Sequence, residues 1–283
     1  MVELVYTQVS GTWPLCGMWV RVPPRAPLKK IGTRTGATFR EHPGLVRGRV
    51  PPRALRDRFL ITILFMQTHD TIIKNIAEEV RKKLEDEGSG HDWWHIVRVW
   101  NMAKHIGAQE HADMFVVELA ALLHDIADWK FHNGDGTVGP KVARQILEQF
   151  SIPQEITNHI CEIIANMSFK GAGVQTPMPT LEGKIVQDAD RLDALGAIGI
   201  ARTFAYGGHK GRSIYTPGQK PIMHQSKEAY MQNDSATINH FYEKLLLLKE
   251  RINTKTARAL AGGRHQFMEE YLRRFFREWD GRI

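Results

Sequence analysis

From Thr68 to Trp279 apolar residues recur at three- and four-residue spacing, and no apolar/polar alternation runs long enough to make a strand. That period restricts the chain to helices that each bury one stripe against their neighbours. It predicts helices over residues 68–87, 92–107, 112–128, 139–150, 153–167, 181–203, 235–252 and 254–279, an all-α bundle of about eight helices filling 66–283. Local punctuation agrees: Asp70 suits an N-cap, Gly88-Ser89-Gly90 a stop, and Pro140 and Pro153 a first helical turn. The aromatic residues of the last segment, Phe267, Tyr271, Phe275, Phe276 and Trp279, read as packing.

Residues 1–65 are unlike the rest. They hold seven of the thirteen prolines and carry eleven Lys/Arg against three Asp/Glu, whereas 66–283 carries 27 against 28. The basicity of the chain therefore belongs to this extension, and 66–283 offers no electrostatic case for nucleic-acid binding. The hexapeptide RVPPRA at 21–26 returns at 49–54, with no apolar face to bury. A basic arm for nucleic acid or an acidic partner, and an organellar transit peptide, are two readings of it. A third is favoured: the protein starts at Met66, and the stretch before it is translated from non-coding DNA, such as two tandem structural-RNA genes.

Cys16 and Cys161 form no CxxC pair, which excludes a disulfide framework and a thiolate zinc knot and points to a reducing compartment. The apolar run at 59–66 is too short to cross a bilayer, and no secretory signal pattern opens the chain. The expected location is the cytoplasm.

Within the helical part, polar residues sit where burial is expected. His95 shares a helical face with Val99 and Met102, so it points inward as a metal ligand or as a core histidine bonded to a carbonyl. His124 and Asp125 end the apolar run VVELAALL, where burying an imidazole and a carboxylate costs several kcal/mol unless something compensates them. Asp190 shares its face with Val186, Ala194 and Ala197; an ion pair with Arg191 is disfavoured, because adjacent helical residues point about 100° apart. Two imidazoles and two carboxylates suit Mn²⁺, Fe²⁺ or Ni²⁺, with Mg²⁺ a further option.

The stretches HDWWHIVRV, LLHDIAD and DADRLDA, with SFKGAG, GGHKGRSIY and INHFYEKLLLLK beyond them, resemble the HD-domain superfamily of metal-dependent phosphohydrolases, whose signature is H…HD…D. The likeness spans essentially 66–283 and none of 1–65. It extends to a bacterial branch that includes manganese-dependent nucleotide pyrophosphatases. The resemblance implies one divalent metal, manganese first, on His95, His124, Asp125 and Asp190. It also implies a small phosphorylated substrate, most plausibly a nucleotide. Some relatives hold a second metal with further histidines; here Asn166 and Ser168 stand in the equivalent stretch, and His132 and His159 match no motif, so a mononuclear site is expected. His124 and Asp125 would serve catalysis through the metal. Asp128, four residues after His124, would be an outer carboxylate or general acid/base, or else an ordinary helix-end aspartate. Lys130, Lys170, Lys210 and Arg212 are the candidate phosphate-binding cations, with solvated side chains as the alternative. Arg98 is expected to pair with Asp92 or Asp125, and Trp93 and Trp94 to stack on a base or join the core. Two other functions share this scaffold: a di-iron oxygenase, which needs more histidine ligands, and a non-catalytic nucleotide sensor. The sequence sets no oligomeric state.

Overall fold

The computed structural model describes residues 52–85, 92–127 and 135–282, with side chains from Thr68 onward. The first RVPPRA copy and Gly88-Ser89-Gly90 lie outside these. Among the described residues every regular element is helical: α1 (Pro52–Leu84), α2 (Trp93–Glu110), α3 (Met114–Leu123), α4 (Val138–Gln149), α5 (Gln154–Asn166), α6 (Leu181–Asp193), α7 (Gly196–His209), α8 (Lys227–Met231), α9 (Asn239–Glu243), a 3₁₀ helix (Leu245–Arg251) and α10 (Lys255–Trp279). The all-α expectation holds.

Short polar side chains start the helices that carry the site. Asp92 accepts the backbone N–H of His95 at 2.8 Å, Asp113 those of Phe115 and Val116, and Thr180 that of Gly183, each satisfying a donor that a helix start leaves over. The core is built around α3, whose Val117 and Leu119–Leu123 have no exposed surface. It packs on α1, α2, α5 and α6, and α2 packs in turn along α6. An apolar run that is hydrophobic all round needs this central position.

Several expectations are corrected. The first helix starts at Pro52 and not at Thr68, so Asp70 lies inside it and caps nothing. Pro153 sits just before α5 rather than in its first turn. The helix expected over 181–203 is two helices. Ala194 N bonds both Asp190 O and Arg191 O, tightening the last turn of α6, and Gly196 then takes φ +75°, which only glycine adopts without strain. A Cβ at Gly199 would lie 2.2 Å from Ala194 O, so the next turn also needs glycine. Ala197 therefore belongs to α7 and does not share a face with Asp190. The segment 235–252 breaks at Lys244 into α9 and the 3₁₀ helix, and α8, capped by Ser226, was not expected. On α10 the core-facing residues are Ala257, Ala261, Met268 and Leu272. Tyr271, Phe275 and Phe276 pack against the core edge, while Phe267 and Trp279 are about half exposed.

Asp188 ties α6 to the start of α10. Its buried carboxylate accepts Asn253 N and Nδ2 at 2.8 Å each, Thr254 N at 2.7 Å and Thr254 Oγ1 at 2.9 Å. Asp188→Ala strands these donors and should lower unfolding free energy by roughly 3 kcal/mol, read from urea denaturation; a loss below about 1 kcal/mol would refute the tie.

Candidate metal centre

Three elements deliver the site. His95 stands on the first turn of α2, His124 closes α3 with Asp125 in the turn after it, and Asp190 lies on the last turn of α6. Side-chain contacts fix the imidazoles. His95 Nδ1 donates to Asp193 Oδ2 at 2.8 Å, and His124 Nδ1 donates to the Ala121 carbonyl at 2.8 Å. In the neutral rings each Nε2 is then an acceptor, and the two face each other at 3.2 Å. Asp125 Oδ2 is 3.4 Å from His95 Nε2 and 3.7 Å from His124 Nε2. Asp190 Oδ1 is 3.5 Å and 4.0 Å from the same atoms.

Three of the four expected ligands, His95, His124 and Asp190, are brought together, and Asp125 approaches the two imidazoles without joining that mutually close group. Ligands ~2.1 Å from an octahedral ion lie ~3.0 Å apart when adjacent and ~4.2 Å when opposite. The observed separations fall in that window, so the donor set fits a divalent cation. Ligand atoms of His95, His124 and Asp190 all lie within 4.8 Å of one another. His95 is fully buried, whereas the Asp190 side chain is 34% exposed, so the centre is open on the Asp190 side.

Around this lies a clamp that the residue pattern did not expose. Asp193, one turn past Asp190, receives His95 Nδ1–H, Arg98 through Nε at 2.8 Å and Nη2 at 3.1 Å, and Arg202 Nη1 at 3.0 Å. Arg98 therefore pairs with Asp193, and not with Asp92 or Asp125. Six residues separate 92 and 98, which puts them on different helical faces, while α2 lies along α6. Burial alone would raise the Asp193 carboxyl, but its bonds to His95 and Arg98 and the charges of His95 and Arg202 hold it far below the ordinary carboxylate range. Burial alone would likewise lower His95, and Arg202 acts the same way; Asp125 and Asp193 prevail and hold its imidazole above the usual value. Arg191 forms no ion pair with Asp190. Its guanidinium donates to Arg251 O and Thr176 Oγ1, and burial pulls it to about 10, still charged at neutral pH.

His124, Asp125 and Asp190 form one wall of a cavity of about 670 Å³. Of the four candidate phosphate-binding cations, Lys210 and Arg212 line it; both lie over the Tyr206 ring, at 5.7 Å and 5.9 Å, and Arg212 donates to Asn233 O. Lys170 is half-buried but is not part of the lining. Arg202 and Lys244, which the motif reading missed, are. Phe169 and Tyr230 meet edge to face at 5.4 Å in the same wall. Trp93 packs against the core and Trp94 is exposed; neither reaches the cavity. His159 bonds Thr180 instead, and Asn166 donates to Glu162 O. Asp128, Lys130 and His132 lie outside the described residues.

A family model described as HD domain matches residues 93–195, the span that holds His95, His124, Asp125, Asp190 and Asp193. Over 209 residues the chain is 42% identical to the uncharacterised protein YpgQ of Bacillus subtilis strain 168, covering 74% of this chain and 94% of that one. The crystal structure of an HD-superfamily hydrolase from Bacillus thuringiensis aligns with TM-score 0.58 at 44% identity, covering 75% of this chain and 98% of that one. The crystal structure of B. subtilis YpgQ in complex with ADP aligns with TM-score 0.60 at 37% identity, covering 75% and 96%.

Saturating Mn²⁺, at about 100 times its dissociation constant, should stabilise the protein by about 2.7 kcal/mol, and His124→Ala or Asp190→Asn should abolish the effect in thermal melts. The pH dependence has a definite sign. Protonated His95 stabilises the metal-free protein at low pH, and that contribution disappears as pH rises through its elevated pKa; metal binding needs the neutral ring. The metal-induced shift should therefore grow from about pH 6 to about pH 8. A shift that is flat or falls with pH would contradict the ligand set.

Proposed function

Because this chain belongs to the HD-domain superfamily of metal-dependent phosphohydrolases, we propose that its substrate is a nucleotide, cleaved at a phosphoanhydride or phosphoester bond with release of pyrophosphate or phosphate. The observation that carries the proposal is the cavity itself. One wall presents His124, Asp125 and Asp190; elsewhere the lining brings in Lys210, Arg212 and Arg202, and aromatic rings at Tyr206, Phe169 and Tyr230. A nucleotide has the matching parts: a phosphate chain needing cations, a reacting phosphorus needing a metal, and a base with two flat faces. The relative YpgQ crystallised with ADP supports the same class of ligand.

In this reading His95, His124, Asp125 and Asp190 hold a single divalent ion, manganese first. When bound, such an ion polarises a phosphoryl oxygen and activates water for attack. The protein's own groups do the rest. Lys210 and Arg212 bind phosphate oxygens and neutralise charge that grows on them during transfer. Their location over Tyr206 limits where their charged ends can sit. Arg202 stays engaged with Asp193, so it contributes field to the cavity while it keeps His95 oriented. Asp128 is assigned the handling of a proton at the water or the leaving group, from its place four residues after His124 in sequence.

A panel of nucleotides offered with Mn²⁺ should yield phosphate or pyrophosphate. His124→Ala should keep nucleotide binding while turnover falls about a thousandfold or more, the scale of losing several kcal/mol of charge stabilisation. Lys210→Ala and Arg212→Ala should each raise KM about tenfold, as expected for one lost charge-assisted hydrogen bond. Nucleotide binding by the unaltered protein with no turnover under any divalent metal would sink the proposal and leave a sensor.

A further inference from the structure

On the Nδ1 side of His95, a second cavity of about 280 Å³ is lined by Arg98, Asn101, Met102, Ala189, Asp193 and Arg264. It shares no lining residue with the large cavity. Its charge is unbalanced. Two guanidiniums face one carboxylate, and that carboxylate already takes bonds from Arg98, His95 and, from α7, Arg202. Asp92 is a second acid that acts on Arg98, but it caps α2 and is not part of the cavity lining.

The donors are likewise in surplus. Arg98 spends Nε and Nη2 on Asp193, and Arg264 spends Nη1 on Leu192 O at the end of α6. A guanidinium has five N–H donors in a rigid fork, so most of Arg264's and some of Arg98's remain. Neither head is fully in solvent: the Arg98 side chain is 34% exposed and Arg264 is half-buried. Arg264 is anchored by its bond to Leu192 O, and its stem lies over Gly196, where an added Cβ would meet its Cβ and Cγ at 3.2 Å. Partly desolvated, pre-positioned and under-compensated guanidiniums from two different helices favour an anion with more than two oxygens, which can bridge both forks.

We propose that this second cavity binds a phosphate-class oxyanion, gripped by Arg98 from α2 and Arg264 from α10 with Asn101 at its rim. The site is independent of what occupies the large cavity, and it does not require the substrate to be a nucleotide. Because Arg98 also holds Asp193, the anion shares a side chain with the clamp that orients His95.

The test titrates the full-length protein with inorganic phosphate against chloride at matched ionic strength, both metal-loaded and after chelation, following thermal stability. Phosphate should raise the melting temperature in both states. Asn101→Glu places a carboxylate at the exposed rim without removing any bond, so its melting temperature in chloride should match the parent while its phosphate half-saturation rises about tenfold or more, the scale of one lost charge-assisted contact. Arg264→Gln should weaken phosphate similarly, and Arg264→Lys less. Lys210→Ala with Arg212→Ala should leave the response of the chelated protein intact. Ribose 5-phosphate separates the sources: a stronger rim-sensitive response than inorganic phosphate assigns the site to a phosphorylated metabolite, and an equal one to free phosphate. A response insensitive to Asn101→Glu but lost with Lys210 and Arg212, or none beyond chloride, overturns the site.

Discussion

Two imidazole acceptors crowded together, with a carboxylate approaching them from either side, are a cost that a protein interior bears only against positive charge. Here the two Nε2 atoms lie 3.2 Å apart, with carboxylate oxygens 3.4–4.0 Å from them. A lone proton can relieve one pair of these contacts; a divalent cation between His95, His124 and Asp190 relieves several at once. The convergence in turn depends on His95, which is fully buried and whose Nδ1 is held by Asp193. Asp193 stays ionised in its buried position because Arg98 and Arg202 flank it. Arg202 reaches it only because α6 and α7 are separate helices: nine residues on a straight helix would leave the two about 13 Å apart along the axis. The left-handed turn at Gly196 is thus a condition of the metal centre, although nothing at that position touches a ligand atom.

Much of this was legible in the chain, for a specific reason. A residue type that conflicts with its surroundings reveals itself: His124 and Asp125 end an all-apolar run, and His95 sits on the stripe of Val99. Helix starts were legible from the apolar spacing at Asp92 and Thr254, which the structure shows as caps, whereas the cap expected at Asp70 lies inside a longer helix. What escaped were features set by the relation between elements. Asp193 and Arg202 are ordinary helical residues until α6, α2 and α7 are packed, and Arg98 has three candidate acids whose distances no spacing rule orders. The breaks at 194–196 and at Lys244 escaped for a related reason. Apolar residues keep helical spacing across both, and the decisive facts are a positive φ in one and, in the other, a carboxylate drawn into a neighbouring loop.

That carboxylate organises the remainder of the large cavity. Glu243, buried at the end of α9, accepts Ile222 N at 3.0 Å, Asn233 Nδ2 at 2.6 Å and Ser235 Oγ at 2.9 Å. It thereby gathers the segment around α8, whose residues 230–234 line the cavity. None of these bonds involves α2, α3 or α6. The metal-facing wall and the loop wall are therefore held by separate polar networks, one centred on Asp193 and the other on Glu243.

Separate networks have a functional consequence. Side chains that convergent helices and a buried ion-pair cluster hold have little freedom to shift, which suits ligands that must meet an ion within a few tenths of an ångström. Residues at the end of α8 and in the turn after it lie on a segment tied to Glu243 and not to α2, α3 or α6 by these bonds. A scaffold divided this way can keep one phosphoryl-directed centre while Tyr230, Met231, Gln232 and Asp234 alter the shape of the chamber beside it. The chemistry at phosphorus and the choice of what carries the phosphorus are then set by different parts of the fold, and a substitution in one leaves the other's geometry standing.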